Sequence, residues 1–360
     1  MKNIFRLRVA VWVAGLMLGA RSGSAEVMVG DPAPPNQTGE FVQGQPVHAF
    51  DRNHVYVVEF WATWCGPCVG SIPHLNALSQ KYQDQGVVFI GQDVWDNDGD
   101  VAKFVKKMGT NMTYRVALDD KSQIANGFMS DHWWKRGTNY HGIPTSFIIN
   151  RDGIVAWIGH PMELKEQVLD DVLAGHYDLA KAAADYRESV ANNAKFQELN
   201  NALRDAVKQK KWDEAQAAAD SLRSAFPKFK GLVIPQLQIF LGQKKYDEAI
   251  QLAESQRQAY GTNVNWLNEL AWTVATSDGP DGRCLELGRA MAESARQLTQ
   301  GTNTAVLDTL ARVQFMLGKK DDAIAMEQEA ADLEQNQREK DSLQKSLASY
   351  KEGKLPDVNE

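Results

Sequence analysis

The sequence predicts an α/β domain, a mixed sheet flanked by helices, followed by an all-α domain of helical repeats. Three observations carry this expectation. Strand-forming and helix-forming segments alternate from residue 26 to about 176. Beyond about 178 they give way to Ala, Gln, Glu, Lys and Leu at helical spacing. In that second stretch a short motif returns after 34 residues. A chain of 360 residues is long for one core, so two domains are expected, 26–176 and 177–360, after an N-terminal segment 1–25.

In the first domain, Val55-Tyr56-Val57-Val58-Glu59-Phe60-Trp61 is a run of β-branched and aromatic residues, read as strand over 55–60. A helical pattern follows over 69–85. Residues 87–94 read as a buried strand, and 100–108 as a helix with Val101, Phe104 and Val105 on one face. Short strands are expected over 114–118 and 145–150. Asp152-Gly153 marks a hairpin turn into a returning strand over 154–159. A closing helix is expected over 162–174, with Leu164, Val168, Leu169, Val172 and Leu173 at helical spacing. The order β-α-β-α-β-β-α calls for a sheet of mixed strand direction covered by helices.

Trp64-Cys65-Gly66-Pro67-Cys68 stands between the first strand and the first helix. Two thiols two residues apart can close a small disulfide ring and open it again. Cys65 at a helix N-terminus meets unpaired backbone N–H groups and the positive end of the helix dipole, which favour a thiolate. Such a position lowers a thiol pKa from about 8.5 toward about 7. The chemistry implied is thiol–disulfide exchange. A purely structural bridge is the bland alternative. A zinc site lacks a second ligand pair, because Cys284 is the only other cysteine and no His-x3-5-His spacing follows. No cofactor and no metal are expected.

These residues resemble the thioredoxin fold, and more closely its exported TlpA/ResA-like thiol–disulfide oxidoreductase branch. Phe60-Trp61-Ala62-Thr63-Trp64-Cys65-Gly66-Pro67-Cys68 carries the resemblance. Gly30-Asp31-Pro32-Ala33-Pro34, Gly142-Ile143-Pro144-Thr145-Ser146-Phe147 and Trp157-Ile158-Gly159-His160-Pro161 extend it over most of 28–175. The resemblance implies that Cys65 attacks and Cys68, deeper in the first turn, resolves the mixed disulfide. It implies a cis peptide at Pro144, facing the disulfide, with the Ile143 backbone free to pair with a bound peptide. Gly66 permits close approach, Pro67 suits the first helical turn, and Pro73 is expected to kink the helix. Trp64 is expected on an apolar docking surface and Trp61 in the core.

Glu59 occupies the place of the buried acid of thioredoxin, an acid that many members of the TlpA/ResA branch lack. Buried there, it would carry a raised pKa and accept the proton of Cys68; the alternative is a carboxylate that reaches water. The aromatic stretch 129–136 precedes the Pro144 loop and either shapes substrate choice or packs locally. His132, His141 and His160 fit no metal-ligand spacing.

In the second domain Lys210-Lys211-Trp212-Asp213-Glu214-Ala215 recurs as Lys244-Lys245-Tyr246-Asp247-Glu248-Ala249, and 241–250 is echoed at 317–324. The spacing from Ala249 to Ala323 is 74 residues, two periods plus an insertion assigned to the loop 277–282. Leu307, Leu310 and Ala311 are assigned to a helix face, and 332–351 to a capping helix. This part resembles a tetratricopeptide array of about four divergent units, departing from the pattern at Gln236 and Gln314. The resemblance implies a protein partner for the repeats, the alternatives being an irregular bundle or a spacer. Cys284 is read as a small core residue.

Lys2, Arg6 and Arg8 precede a short apolar run and the small residues Gly23-Ser24-Ala25, the pattern of a cleaved export signal, with an uncleaved anchor as the alternative. The formal net charge is −7; without the four Lys/Arg of 1–25, which holds no Asp or Glu, it becomes −11. That balance argues against nucleic acid. The expected protein is extracytoplasmic, of bacterial periplasmic type. Its expected partners are protein thiols and disulfides and a membrane electron donor, with a net reducing direction; a net oxidase or an adaptor are the alternatives.

Overall fold

The structure is a computed structural model that describes residues 26–96, 98–134 and 142–357. Residues 1–25, where the sequence suggests an export signal, lie outside the described residues, as do Lys135, Arg136 and His141. The chain divides into two compact units, 1–191 and 192–360.

The first unit carries a six-stranded sheet in the order β1-β4-β3-β2-β5-β6. Its strands are β1 (Thr38–Gln43), β2 (Val55–Trp61), β3 (Val87–Asp93), β4 (Arg115–Asp119), β5 (Thr145–Ile149) and β6 (Val155–Gly159). β2, β3 and β4 run parallel; β1, β5 and β6 pair antiparallel to their neighbours. β2 is central and buried along its whole length. Both its faces are covered, which is why it reads as a continuous apolar run rather than an alternating one. Val55, Val57 and Trp61 pack on one side with Ile72, Leu75 and Tyr82 of helix α1 (Gly66–Tyr82). Tyr56, Val58 and Phe60 pack on the other with Phe147, Ile149 and Trp133. Strand alternation therefore turns Glu59 toward α1.

Four features differ from the sequence expectation. β1 has no counterpart in the sequence expectation: TGEFVQ is a half-buried edge strand with no apolar alternation to announce it. Helix α1 begins at Gly66 rather than at 69, because Cys65 itself is the N-cap, and it ends at Tyr82 with Pro73 inside it. Helix α2 (Asp98–Met108) begins slightly earlier than its apolar face implied. The closing helix α3 (Glu166–Ala174) starts later than residue 162. There His160 Nδ1 accepts from Met162 N, and Pro161 opens only a single 3-10 turn.

Helix α4 (Leu179–Lys208) follows. Its Ala183 and Tyr186 are buried in the core of the first unit, so the compact unit extends past the expected boundary at 176. The second unit continues with α5 (Trp212–Ala225), α6 (Val233–Gly242), α7 (Tyr246–Tyr260), α8 (Val264–Thr276), α9 (Gly282–Leu298), α10 (Thr304–Met316), α11 (Lys320–Leu333) and α12 (Gln337–Lys351). The expected capping helix over 332–351 is split. α11 ends at Leu333, and Asn336 caps α12 by accepting from Arg338 N and Glu339 N.

The sequence repeat is also a conformational one. Lys210, Lys244 and Gly318 all sit in the left-handed region, at φ 57°, 58° and 78°, just before the second helix of a pair. Ala215, Ala249 and Ala323, five residues further on in each case, are buried. Thus Gly318 stands opposite Lys244 at the 74-residue offset, rather than opposite Gly242 as the matching Leu-Gly letters imply. Gln236 departs from an apolar pattern because its amide is satisfied: it accepts from Arg223 Nη2 at 2.7 Å and donates to Gln216 Oε1 at 2.8 Å. A lysine in the left-handed region carries a steric cost that glycine avoids. Lys244→Gly is therefore expected to stabilise the protein by about 0.5–1 kcal/mol, read as a higher urea midpoint at unchanged slope.

Candidate active site

Three segments converge on the first turn of α1. The first is the end of β2, where Val94 N donates to Trp61 O at 2.9 Å. The loop 62–64 then turns the chain into the helix. Thr63 in that loop donates to the Asp96 carboxylate through both its backbone N and its hydroxyl, at 2.5 and 2.8 Å. Asp96, just beyond β3, thus fixes the residues immediately ahead of Cys65.

Cys65 and Cys68 are joined by a disulfide, with Cα atoms 5.2 Å apart. Cys65 is the N-cap of α1: its Sγ accepts from Cys68 N at 3.2 Å, and its carbonyl accepts from Val69 N at 3.0 Å. A sulfur in this place sees the helix N–H groups, which stabilise negative charge on it. Cys65 is 5% exposed and Cys68 not at all. The first sulfur is therefore the nearer to solvent.

The second segment is the loop before β5. The Ile143–Pro144 peptide is cis, and the Ile143 carbonyl oxygen lies 3.7 Å from Cys65 Sγ. Pro144 and Ile143 are thus beside the disulfide. Gly66 and Pro67 are exposed at the helix start, and a Cβ on Gly66 would meet nothing within 4 Å.

The third is the loop after β3. Trp64 is 62% exposed and stacks on Trp95, itself 44% exposed, with ring centroids 6.1 Å apart and planes 14° from parallel. Sequence reasoning found Trp64 but not Trp95 or Asp96, whose approach to the motif depends on the β2–β3 pairing. Trp61 is fully buried, as expected. Of the aromatic stretch, Met129 and Trp133 are core residues, with Trp133 Nε1 donating to Pro35 O at 3.0 Å.

Behind the disulfide lies Glu59, 2% exposed. Ser71 Oγ donates to its Oε1 at 3.1 Å and Tyr114 OH to its Oε2 at 3.4 Å. Burial pushes the Glu59 carboxyl up to about 8, and the two hydroxyls pull in the opposite direction. Burial, with Glu59 beside it, holds the Tyr114 phenol well above its ordinary range. Glu59 is enclosed and does not reach water at the strand end.

The remaining candidates lie elsewhere. His132 stacks on Phe128 and His160 caps a turn. Among the described residues no group of three His, Cys, Asp or Glu side chains is placed to hold a metal ion. Cys284 is buried in the second unit, two residues into α9, where burial and the Asp281 cap push its thiol up to about 12.

A disulfide between cysteines two residues apart at a helix N-terminus, on a mixed sheet with the Pro144 loop against it, defines a thiol–disulfide oxidoreductase of the thioredoxin fold. Sequence comparison with known proteins agrees. The Redoxin family matches residues 28–173. Protein FixW of Rhizobium leguminosarum is 30% identical over 161 residues, which is 43% of this chain and 70% of that protein. The thiol–disulfide oxidoreductase ResA of Bacillus anthracis is 30% identical over 159 residues, 42% of this chain and 84% of that one. A crystal structure described as a thiol:disulfide interchange protein DsbE from Chlorobium tepidum is 27% identical, with 41% of this chain and 99% of that one covered and a TM-score of 0.32. The chain belongs to the Redoxin family, in its TlpA/ResA-like thiol–disulfide oxidoreductase branch.

Proposed function

We propose that the protein is an exported reductase of protein disulfides, with the α/β unit as its redox domain and the helical repeats that follow as the seat of a protein partner. The observation that carries the redox reading is the position of Cys65. It caps α1, lies beside the Ile143 carbonyl, and is backed by a fully buried Cys68. In the reduced enzyme the Cys65 thiolate attacks one sulfur of a substrate disulfide. The substrate S–S bond breaks, a Cys65–substrate disulfide forms, and the other substrate sulfur leaves as a thiolate. Cys68 then loses its proton to the Glu59 carboxylate and attacks Cys65 Sγ. The second substrate sulfur leaves, and Cys65–Cys68 is oxidised while the substrate is reduced by two electrons. A membrane electron donor restores the dithiol.

Trp64, Gly66, Pro67 and Ile143 form the substrate-facing surface in this account, and Pro144 shapes it. Export is supported by the charged-then-apolar pattern of 1–25, and the repeat reading by the left-handed turns at equivalent positions. No helix among the described residues is long and apolar enough to cross a membrane.

Two measurements on the full chain test the reading. In cells, Cys68→Ser is expected to accumulate mixed disulfides through Cys65 with exported proteins; a trap that stays empty contradicts a protein substrate. The reduction potential is expected near that of thioredoxin, about −270 mV, whereas a value near about −120 mV makes the protein a net oxidant.

A further inference from the structure

The carboxylate behind the disulfide has two hydroxyl partners, and one of them has a second acceptor in reach. Ser71 Oγ lies 3.1 Å from Glu59 Oε1 and 2.8 Å from the Cys68 carbonyl oxygen. A serine hydroxyl carries one proton, so it donates to only one of these at a time. Tyr114 OH has Glu59 Oε2 as its hydrogen-bond acceptor. We propose that Ser71 and Tyr114 are positioning residues that set the proton affinity of Glu59, the Ser71 proton turning to Glu59 when it is ionised and to the Cys68 carbonyl when it is protonated. The inference rests on the reading of Glu59 as the acceptor of the Cys68 proton, and it names what regulates that step.

The geometry confines the control to few groups. α1 presents Cys68 and Ser71, and the segment entering β4 presents Tyr114. In register with Glu59 stand Gly91 of β3 and Ser146 of β5, neither of which titrates. The buried Asp93, opposite Trp61 and so on the Glu59 side of the sheet, is the other carboxylate on that face of β3. Among the described residues no lysine or arginine of this unit is buried. Neutral donors are thus left to stabilise the carboxylate. The Tyr114 ring also covers Gly91: a Cβ there would meet Tyr114 at 3.0 Å and Trp61 Nε1 at 3.1 Å. The phenol is therefore held in place by packing.

A hydrogen bond to an ionised group is strong enough to move a pKa by about one unit or more. The test follows the infrared C=O band of protonated Glu59 against pH in the oxidised full chain, assigned by its loss in Glu59→Gln. Ser71→Ala and Tyr114→Phe are each expected to raise the midpoint by about one unit, and Ser71→Thr to restore it. The pH profile for release of a small thiol from a Cys65 mixed disulfide is expected to move in parallel. Unmoved midpoints in both Ser71→Ala and Tyr114→Phe overturn the proposal. If the midpoints move while Glu59→Gln leaves the release profile unchanged, the control of proton affinity stands and the role of Glu59 as acceptor falls.

Discussion

Cys65→Ser is expected to reduce exchange with a model disulfide to the rate of buffer alone, while Cys68→Ser reacts once and stops. The asymmetry follows from placement. Cys65 caps α1 and is the more exposed sulfur of the pair, so its loss removes the thiol that meets the substrate. Cys68 is sealed beneath it and can only act on Cys65. A chromogenic disulfide should therefore show a burst of one leaving group per chain with Cys68→Ser, none with Cys65→Ser, and steady turnover in the presence of reductant with the unaltered protein. Equal bursts from the two variants would mean that either sulfur meets substrate, and the ordered scheme would be wrong.

The second large effect concerns stability. Glu59 is raised from the ordinary carboxyl value of 4.5 to about 8, chiefly by burial. Below 4.5 both the folded and the unfolded chain hold the proton, and the contribution is fully present. Between 4.5 and about 8 the unfolded chain has released a proton that the folded chain keeps, so stability falls as pH rises. The loss amounts to about 5 kcal/mol at full extent. Glu59→Gln has no proton to lose. It is expected to be the more stable protein at pH above 8, with a flatter dependence from pH 5 to 8, in urea unfolding of the oxidised chain. Glu327 of the second unit moves the same way, raised by burial and by Asp308 beside it, so the difference between the two proteins isolates Glu59. Parallel pH curves would show that Glu59 is not held in a dry site.

The parts of the fold that the sequence discloses are those fixed by local chemistry. β2 is legible because both its faces are buried and all seven residues favour strand. The redox pair is legible because its spacing and its place before a helix define its chemistry. β1 is not legible, since a half-buried edge strand without apolar alternation is held by β4, with its paired residues 73 or more positions away along the chain. Trp95, Asp96 and Tyr114 escape for the same reason: each reaches the site through strand pairing, not through proximity to the motif. Ser71 lies three residues from Cys68, on the same helical face, and was within reach of a periodicity argument. In the repeats, the recurring letters give the period, but the left-handed residue that organises each turn is Lys twice and Gly once, and only the backbone reveals the equivalence.

Exchange by this site depends on the charge state of the Cys65 sulfur. The reduced full-length protein, titrated by its ultraviolet thiolate absorbance and compared with Cys65→Ser, isolates that sulfur. A Cys65 midpoint well below the ordinary thiol value of about 8.5, toward about 7, is the result predicted for a thiolate at a helix N-terminus. A midpoint at or above about 8.5 would contradict it.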